Sequence, residues 1–423
     1  MTLPVELVST GSELLSGRTL NRHAQTLGER VRALGLSLVR DTTVRDDIPA
    51  IREAVQSALS RVDVVFVSGG LGPTSDDVTR EALAELLGRK IVLDQVSLDV
   101  MQRRYDRIGR RMTEQSKRQA LIVEGGEALS NSVGLAPGER LEFGGKVLFV
   151  LPGPPDEFHA VLEDHIVPWL KQRYASVAPA AEKIFLTCGI AEAEVARRFE
   201  EAGLAPAGIE IGYCAAPGRV EVRLTSAQGD EKAVEAAGEE ARKLIGEFVF
   251  AEDRRLMEEV VGQLLRDQGA TVAVAESCSG GLLGHRLTAL SGSSEYFVGG
   301  VVAYSNDVKV QQLGVKPETL KAFGAVSEET AREMAVGVRE RFGVDFGVSV
   351  TGIAGPTGGS VEKPVGTVFV GVADRSHAWV RRFLFPGNRV RIKEWSTQMA
   401  LDLLRRRLAS LLPKEGDGGG RGP

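Results

Sequence analysis

Short apolar runs alternate with amphipathic stretches through the first third of the chain. The pattern predicts strands at 5–9, 36–42, 62–67 and 146–151 and helices at 20–34 and 48–59. This alternation is typical of a parallel sheet with helices packed against it. Loops rich in Gly, Pro and Asp follow two of the strands, at the carboxyl ends where such sheets bind ligands. We therefore predict an α/β domain over 1–174 with a ligand site at those loops.

Two further domains are predicted beyond an Ala/Pro/Ser linker at 176–181. The first is a small α+β unit over 182–248, with strands at 183–188, 210–213 and 219–225 and helices at 191–202 and 231–245. The second is an α/β domain over 253–412, with helices at 254–268, 328–342 and 391–412 and strands at 271–275, 298–303, 346–349 and 365–372. The Gly-rich stretch 413–423 is predicted to be a disordered tail.

Composition narrows the classes of protein. With 43% hydrophobic and 26% charged residues, and no apolar run of the roughly 18 residues that span a bilayer, the chain is expected to work without a membrane. Its first residues show no signal peptide, so a cytoplasmic location is expected. A net charge of -5 favours small-molecule ligands over nucleic acid. Three cysteines without metal or redox spacing predict neither disulfides nor a zinc site.

The middle unit resembles a KH-type module, which in other proteins binds single-stranded nucleic acid. It has no Gly-x-x-Gly loop, and over 182–246 acidic residues outnumber Lys and Arg by twelve to eight. Since an acidic unit repels phosphate backbones, we interpret it as a spacer or dimerisation element, and a homodimer is expected.

The stretch "VAESCSGGLLG" (274–284) carries the strongest chemical signal. A strand that runs into small polar residues and then a helix brings hydroxyls near free helical N–H groups, so a nucleophile and an anion site could coincide there. The alternative is a purely structural turn in which Ser277 or Ser279 caps the helix. Cys278 lies between the two serines, and free cysteines are most often small buried residues.

Four motifs of the third domain form a more specific set: "AESCSGG" (275–281), "VVAYSNDVK" (301–309), "GAVSEE" (324–329) and "TGIAGPTGG" (351–359). Together they resemble the nicotinamide mononucleotide deamidase domain of the CinA family, over about 254–412. The resemblance implies Ser277 as nucleophile, Lys309 as its base and Tyr304 as a further active-site residue, with no cofactor.

The chemistry is coherent on its own terms. Hydrolysis of a carboxamide needs an activated serine, and a lysine can activate it if burial or a cation lowers the pKa of its amine. Tyr304 and the N–H groups at the helix start after Ser277 are candidate donors to the oxyanion. Taken singly, Lys309 could instead be a solvated helix residue and Tyr304 a packed aromatic.

A phosphate or substrate site is expected beside this pair. Closely spaced glycines let N–H groups converge on an anion, although a tight turn between strands explains them equally well. In "PGNRVRIK" (386–393), Asn388 and Lys393 stand where the related enzymes tend to have aspartate and a second arginine. The predicted site consists of Ser279, Gly280, Gly352, Gly355, Gly358, Gly359 and Arg389.

The N-terminal motifs "STGSELLSG" (9–17), "SGGLGPTSDDVT" (68–79), "NSVGLAPG" (131–138) and "LPGPPDE" (151–157) resemble the molybdopterin-binding-like domain of CinA proteins. Leu71 replaces the threonine that relatives in molybdenum cofactor synthesis carry, which weakens the case for molybdopterin. The resemblance implies ADP-ribose pyrophosphatase activity. The predicted nucleotide site consists of Glu13, Gly69, Gly70, Gly72, Asp76, Asn131 and Pro154.

A divalent metal such as Mg²⁺ is expected in the same domain, with Asp77 as ligand, because hard cations take carboxylate oxygens. Helix capping would explain Asp76 or Asp77 without a metal.

The sequence therefore favours a bifunctional enzyme that deamidates nicotinamide mononucleotide and hydrolyses ADP-ribose. Two alternatives remain. One is an interaction or sensor protein of a competence or damage response; the other is a first domain that binds a pterin or nucleotide without hydrolysis.

Overall fold

A computed structural model describes residues 3–409 except 176, 178, 179, 205 and 227. These residues form two compact units, 3–181 with 226–231, and 182–225 with 232–409. Three of the six residues of the predicted linker at 176–181 lie outside the described residues, and β9 already begins at Ala181. The predicted tail lies wholly outside them.

The first unit is a mixed α/β sheet flanked by helices. Its elements are β1 (Leu3–Thr10), α1 (Ser12–Leu15), α2 (His23–Arg32), β2 (Leu36–Val44), α3 (Ile48–Arg61), β3 (Val64–Ser68), α4 (Thr79–Leu87), β4 (Ile91–Leu93), α5 (Gln95–Arg107), α6 (Glu114–Lys117), β5 (Leu121–Val123), β6 (Glu127–Leu129), β7 (Gly138–Phe143), β8 (Lys146–Leu151), α7 (Pro155–Val161) and α8 (Val167–Arg173). The main sheet has the order β2-β1-β3-β8-β7-β6.

The four predicted strands are parallel to one another and occupy one side of this sheet. The short strands β4 to β6 were not predicted, because three residues are too few to show an alternating pattern. Helix α2 begins at His23 rather than at 20, since the side chain of Asn21 accepts the N–H of His23 and forms a turn before the helix.

The middle segment forms a four-stranded sheet covered by two helices. Its elements are β9 (Ala181–Thr187), α9 (Glu192–Glu201), β10 (Glu210–Ala216), β11 (Arg219–Ser226), α10 (Glu231–Ile245) and β12 (Val249–Ala251), with the sheet order β10-β11-β9-β12. Side chains of β9 alternate between two cores. Phe185 packs with the helices of the segment, whereas Ile184 and Leu186 pack with residues beyond 256. The segment therefore shares a core with the third domain.

The remaining residues form the domain that carries the serine-rich turn. Its elements are α11 (Met257–Asp267), β13 (Val272–Glu276), α12 (Leu282–Thr288), β14 (Phe297–Val302), α13 (Asn306–Leu313), α14 (Pro317–Phe323), α15 (Glu328–Phe342), β15 (Phe346–Gly352), β16 (Thr367–Ala373), β17 (Ala378–Leu384) and α16 (Arg389–Leu408). The sheet order is β14-β13-β15-β16-β17, so β13 lies between two parallel neighbours.

The last helix begins at Arg389 rather than at 391, because the side chain of Asn388 accepts the N–H of Arg391 and caps it. Within the described residues, no helix has the length and apolar character that crossing a bilayer requires. All three cysteines are free.

Candidate functional sites

The turn after β13 is fixed by both neighbouring strands. The N–H of Ser277 donates to the carbonyl of Val350 at 2.8 Å, and the carbonyl of Glu276 accepts the N–H of Ala303 at 2.7 Å. Because parallel strands end at the same edge of a sheet, Ser277 and the segment that follows β14 lie side by side.

Ser277 and Lys309 face each other in the interior. Lys309 lies in α13, which begins where the hydroxyl of Ser305 caps it. Its Nζ lies 3.1 Å from Oγ of Ser277 and donates to the carbonyl of Ala303 at 2.7 Å. Lys309 is only 1% exposed, and burial lowers the pKa of its amine below the ordinary 10.5. A solvated helix lysine is thereby excluded.

The helix after the turn is capped by Glu276 and not by a serine. The Glu276 carboxylate accepts the N–H groups of Gly281 and Leu283 at 3.0 Å and of Gly284 at 2.8 Å. The capping alternative for Ser277 and Ser279 is therefore wrong. So is the expectation that these N–H groups stabilise the oxyanion, because the carboxylate already occupies them.

Two neighbours of Ser277 are buried. Burial raises the pKa of the Cys278 thiol to about 12, so the thiolate required of a nucleophile is not formed near neutral pH. Ser279 is fully buried, and its hydroxyl has no hydrogen-bond partner among the described residues.

Tyr304 is exposed and is held by Arg389. The guanidinium of Arg389, at the first position of α16, donates to the phenol oxygen of Tyr304 at 2.6 Å and to the carbonyl of Gly355 at 2.9 Å. Tyr304 is 60% exposed, which excludes the packed-aromatic alternative. Arg389 thus joins the segment after β14 to the glycine loop, residues 352–359.

The glycine loop is shaped mainly by packing. A Cβ at Gly352 would lie 2.7 Å from Val368, one at Gly355 would lie 2.5 Å from Val365, and one at Gly359 would lie 2.8 Å from the backbone N of Val365. These three glycines permit close approach to the start of β16 and to the residues just before it. Gly358 is not crowded in this way, since its nearest neighbour is 3.8 Å from the Cβ position.

Lys393 lies one turn beyond Arg389 and reaches the serine-rich turn. Its Nζ is 3.5 Å from the position of a Cβ on Gly280. The first two turns of α16 therefore bring two cations close to the candidate site, and a helix N-terminus also favours anions.

The first unit contains a cavity of about 440 Å³ at the carboxyl ends of β1, β3 and β8. It brings together seven residues of the predicted nucleotide and metal site: Glu13, Gly69, Gly70, Gly72, Asp76, Asp77 and Pro154. Four carboxylates and one arginine, Arg22, line it, so its charge is unfavourable for a bare anion.

Gly69 and Gly70 permit a close crossing of the loop over its neighbours. Both have positive φ, and a Cβ would lie 2.4 Å from the carbonyl oxygen of Thr10 in one case and 2.2 Å from the hydroxyl of Thr79 in the other. The floor of the cavity therefore depends on both glycines.

Two of the carboxylates in this cavity accept hydrogen bonds from the backbone. Asp77 accepts the N–H of Thr74 at 2.8 Å, and Asp46 accepts the N–H of Ser12 at the same distance. Within the part of the chain that the structure describes, no group of three or more His, Cys, Asp or Glu side chains is arranged to hold a metal ion. Neither Asp76 nor Asp77 caps α4, whose cap residue Val78 makes no side-chain bond.

Asn131 lies away from this cavity and borders another, of about 340 Å³. Its side chain accepts the N–H groups of Val133 and Gly134 and donates to the carbonyl of Ala136 and the carboxylate of Glu157. Asn131 therefore organises its own turn, and the structure does not place it with the other predicted nucleotide-binding residues.

Two residues near the sites carry no sequence signal of their role. One is Glu276, whose capping bonds require the three-dimensional turn. The other is His23, which lines the first cavity, stacks on Phe158 at 4.3 Å and has Nδ1 2.5 Å from Oγ of Ser68. Burial lowers the pKa of the His23 imidazole, while a backbone hydrogen bond with Gly153 opposes that shift.

Known families match both parts of the chain. A family model described as "Probable molybdopterin binding domain" matches residues 6–172, and one described as "CinA C-terminal domain" matches residues 254–408. The first unit is therefore an α/β domain of the molybdopterin-binding-like class.

Full-length relatives extend the likeness. A CinA-like protein of Dictyoglomus turgidum is 40% identical over 410 residues, covering 96% of this chain and 99% of the relative. One of Kosmotoga olearia is 38% identical over 414 residues, covering 97% and 100%. A crystal structure of CinA from Thermoplasma acidophilum is 35% identical, with a TM-score of 0.36, and covers 38% of this chain and 95% of that chain. The chain belongs to the CinA family.

Proposed function

We propose that the second unit is a serine-lysine amidohydrolase that converts nicotinamide mononucleotide to nicotinate mononucleotide and ammonia. The observation that carries this proposal is the buried contact of 3.1 Å between Nζ of Lys309 and Oγ of Ser277. A neutral amine at that distance accepts the hydroxyl proton as the serine attacks.

The reaction runs in two halves. Oγ of Ser277 bonds to the carboxamide carbon while its proton passes to Nζ of Lys309. The tetrahedral intermediate then breaks its C–N bond, and the lysine returns the proton to the departing ammonia. Water attacks the acyl-serine ester while Lys309 takes one of its protons. The C–Oγ bond then breaks, Lys309 returns that proton to Oγ, and the product acid gives its remaining proton to solvent and leaves as nicotinate. A positively charged pyridinium ring keeps the amine neutral, because like charge disfavours its protonation.

The substrate phosphate is assigned to the start of α16. Arg389 and Lys393 supply positive charge there, and Asn388 leaves the helix without an acidic residue in its first turn. The crowded positions of Gly352, Gly355 and Gly359 favour this assignment over a phosphate cradle made by the glycine loop.

The test of this proposal is product identity. The purified protein is incubated with nicotinamide mononucleotide, and proton NMR and an ammonia assay follow the products. We expect nicotinate mononucleotide and ammonia in equal amounts. Cys278→Ala serves as the matched control and should retain activity, since the buried thiol does not ionise near neutral pH. Release of free nicotinamide, or no product, would refute the proposal.

For the first unit, we propose a nucleotide-binding pocket that hydrolyses ADP-ribose, because the cavity gathers seven of the predicted residues at the strand ends. Among the residues that the structure describes, no group of three or more metal-donor side chains is found, so calorimetry with ADP-ribose is to be run with and without Mg²⁺. Hydrolysis supports the enzyme; binding without product supports a sensor.

The rival proposal is an interaction protein in which Ser277 performs no chemistry. A buried lysine without solvent contact is costly to a fold, and an interaction surface gives no reason for it. We therefore favour the enzyme.

A further inference from the structure

Glu276 is a buried carboxylate that the proposed reaction does not use. It is 1% exposed, and its carboxylate accepts hydrogen bonds from three backbone N–H groups, those of Gly281, Leu283 and Gly284. A buried carboxylate is stable only when its oxygens are well hydrogen-bonded, and the positive end of α12 adds to that stabilisation.

Glu276 also acts through its backbone. Its carbonyl accepts the N–H of Ala303, and the carbonyl of Ala303 in turn accepts a hydrogen bond from Nζ of Lys309. That same Nζ lies 3.1 Å from Oγ of Ser277, the residue bonded to Glu276. The side chain of Glu276 thus fixes the turn at 277–281 to the start of α12. Its main chain fixes Ala303, which accepts a hydrogen bond from Lys309.

We propose that Glu276 is a positioning residue for Ser277: its carboxylate ties the first turn of α12 to the end of β13 and so holds the serine hydroxyl against Lys309. The inference rests on the proposed amidohydrolase. It also implies that the substrate anion cannot use the N-terminus of α12, which the carboxylate already occupies.

The geometry gives a reason why a shorter or neutral side chain would fail. Glutamine keeps the shape, but its NH₂ group opposes one of the N–H donors. Aspartate keeps the charge, but it is one methylene shorter and cannot reach all three. Displacement of a reacting atom by about 1 Å typically costs about 100-fold in rate.

The experiment compares Glu276→Gln, Glu276→Asp and the control Ser327→Ala with the unsubstituted full-length protein. Ser327 caps α15 in the same unit by accepting the N–H of Thr330, so its loss reports the cost of an ordinary helix cap. Each protein is measured for kcat and KM with nicotinamide mononucleotide, for thermal unfolding, and for the rate at which a fluorophosphonate probe labels Ser277.

We expect Glu276→Gln to lower kcat and the labelling rate together by about 100-fold with KM within about twofold, since only the position of the nucleophile changes. The kcat and labelling rate of Glu276→Asp should lie between those of Glu276→Gln and the unsubstituted protein. Ser327→Ala should change neither rate. If the glutamine variant does not fold, the aspartate variant carries the test. Unchanged rates in a folded variant, or an equal loss in Ser327→Ala, would overturn the proposal.

The two readouts separate this inference from the proposed function. An unsubstituted protein that labels rapidly at Ser277 but releases no ammonia has an activated serine and a different substrate, and the labelling rates still decide the role of Glu276. A protein that neither labels nor releases ammonia refutes both.

Discussion

The molecule contains two turns of the same local design, and they differ in what faces them. Residues 69–78 follow β3 and lead to α4, and residues 277–281 follow β13 and lead to α12. In the first, Gly69 and Gly70 pack against Thr10 and Thr79 at the edge of an open cavity lined with carboxylates. In the second, a serine meets a buried lysine.

The comparison shows that a strand, a small-residue turn and a helix can position a side chain at the edge of a sheet. Whether that side chain can react depends on the groups that face it. Before the turn at 69–78, the hydroxyl of Ser68 also meets a base, His23, whose ring bonds to the backbone of Gly153. Ser68, however, is only 1% exposed and is not among the residues that line the cavity. Under the proposed function, the turn at 277–281 is reactive because α13 buries an amine beside it. We therefore propose covalent catalysis at the second turn, and at the first nucleotide binding with a hydrolysis that does not pass through Ser68.

The largest expected effect is loss of the base. Lys309→Met should lower the amidase rate by about 10⁴-fold, as removal of one member of a catalytic pair does elsewhere. The substitution removes the free-energy cost of burying the amine, but it leaves the carbonyl of Ala303 without its donor. These two effects on the free energy of unfolding oppose each other, and each is about 1–3 kcal/mol. The melting temperature should therefore change by no more than a few degrees. Retained activity would show that Lys309 is not the base.

The same base predicts the acid side of the pH profile. Only the neutral amine accepts the serine proton, so kcat/KM should fall about tenfold per pH unit below the pKa of Lys309. Because burial lowers that pKa, the fall should begin below the ordinary 10.5 of a lysine amine. A profile that is flat on the acid side down to pH 5 would contradict a lysine base.

A smaller effect is expected at the proposed phosphate site. Arg389→Ala should raise KM for nicotinamide mononucleotide by about 10- to 100-fold, the value of one or two charge-assisted hydrogen bonds. The rate with nicotinamide riboside, which lacks the phosphate, should change by no more than about twofold. Equal losses with both substrates would place the phosphate elsewhere.

At the first turn, the smallest expected effect is a loss of stability when a methyl group is added to a crowded glycine. Gly70→Ala forces a Cβ against Thr79 at positive φ and should destabilise the first unit by about 2 kcal/mol or more. Gly88→Ala is the matched control, because Gly88 also has positive φ but no atom within 4 Å of the Cβ position, so about 1 kcal/mol is expected. Calorimetric unfolding measures both. Equal losses would mean that the loop relaxes around the methyl group.

Much of this could be predicted from the sequence where periodicity is strong. Helix α15 has the predicted bounds, and β8 begins and ends at the predicted residues. Helix α16 was predicted two residues too short at its start because the capping role of Asn388 is not a periodic signal. The strand β17 and the short strands of the first unit were missed for want of length or alternation.

The candidate sites divide in the same way. The resemblance to the CinA family implied Ser277 and Lys309 as partners, and the structure brings them into contact. It did not predict Glu276 as the cap, since those bonds join residues five to eight apart through a turn that only the fold defines. Asn131 was grouped with the nucleotide site because of its motif, whereas three of its hydrogen bonds lie within its own turn and the fourth goes to Glu157 in α7.

The most direct test of the central claim is ammonia release from nicotinamide mononucleotide by the unsubstituted protein, Ser277→Ala and Cys278→Ala side by side. We predict release by the unsubstituted protein and Cys278→Ala, and none above background by a folded Ser277→Ala. Ammonia release that survives the loss of Ser277 would contradict the assignment of the turn after β13 as a serine-lysine active site.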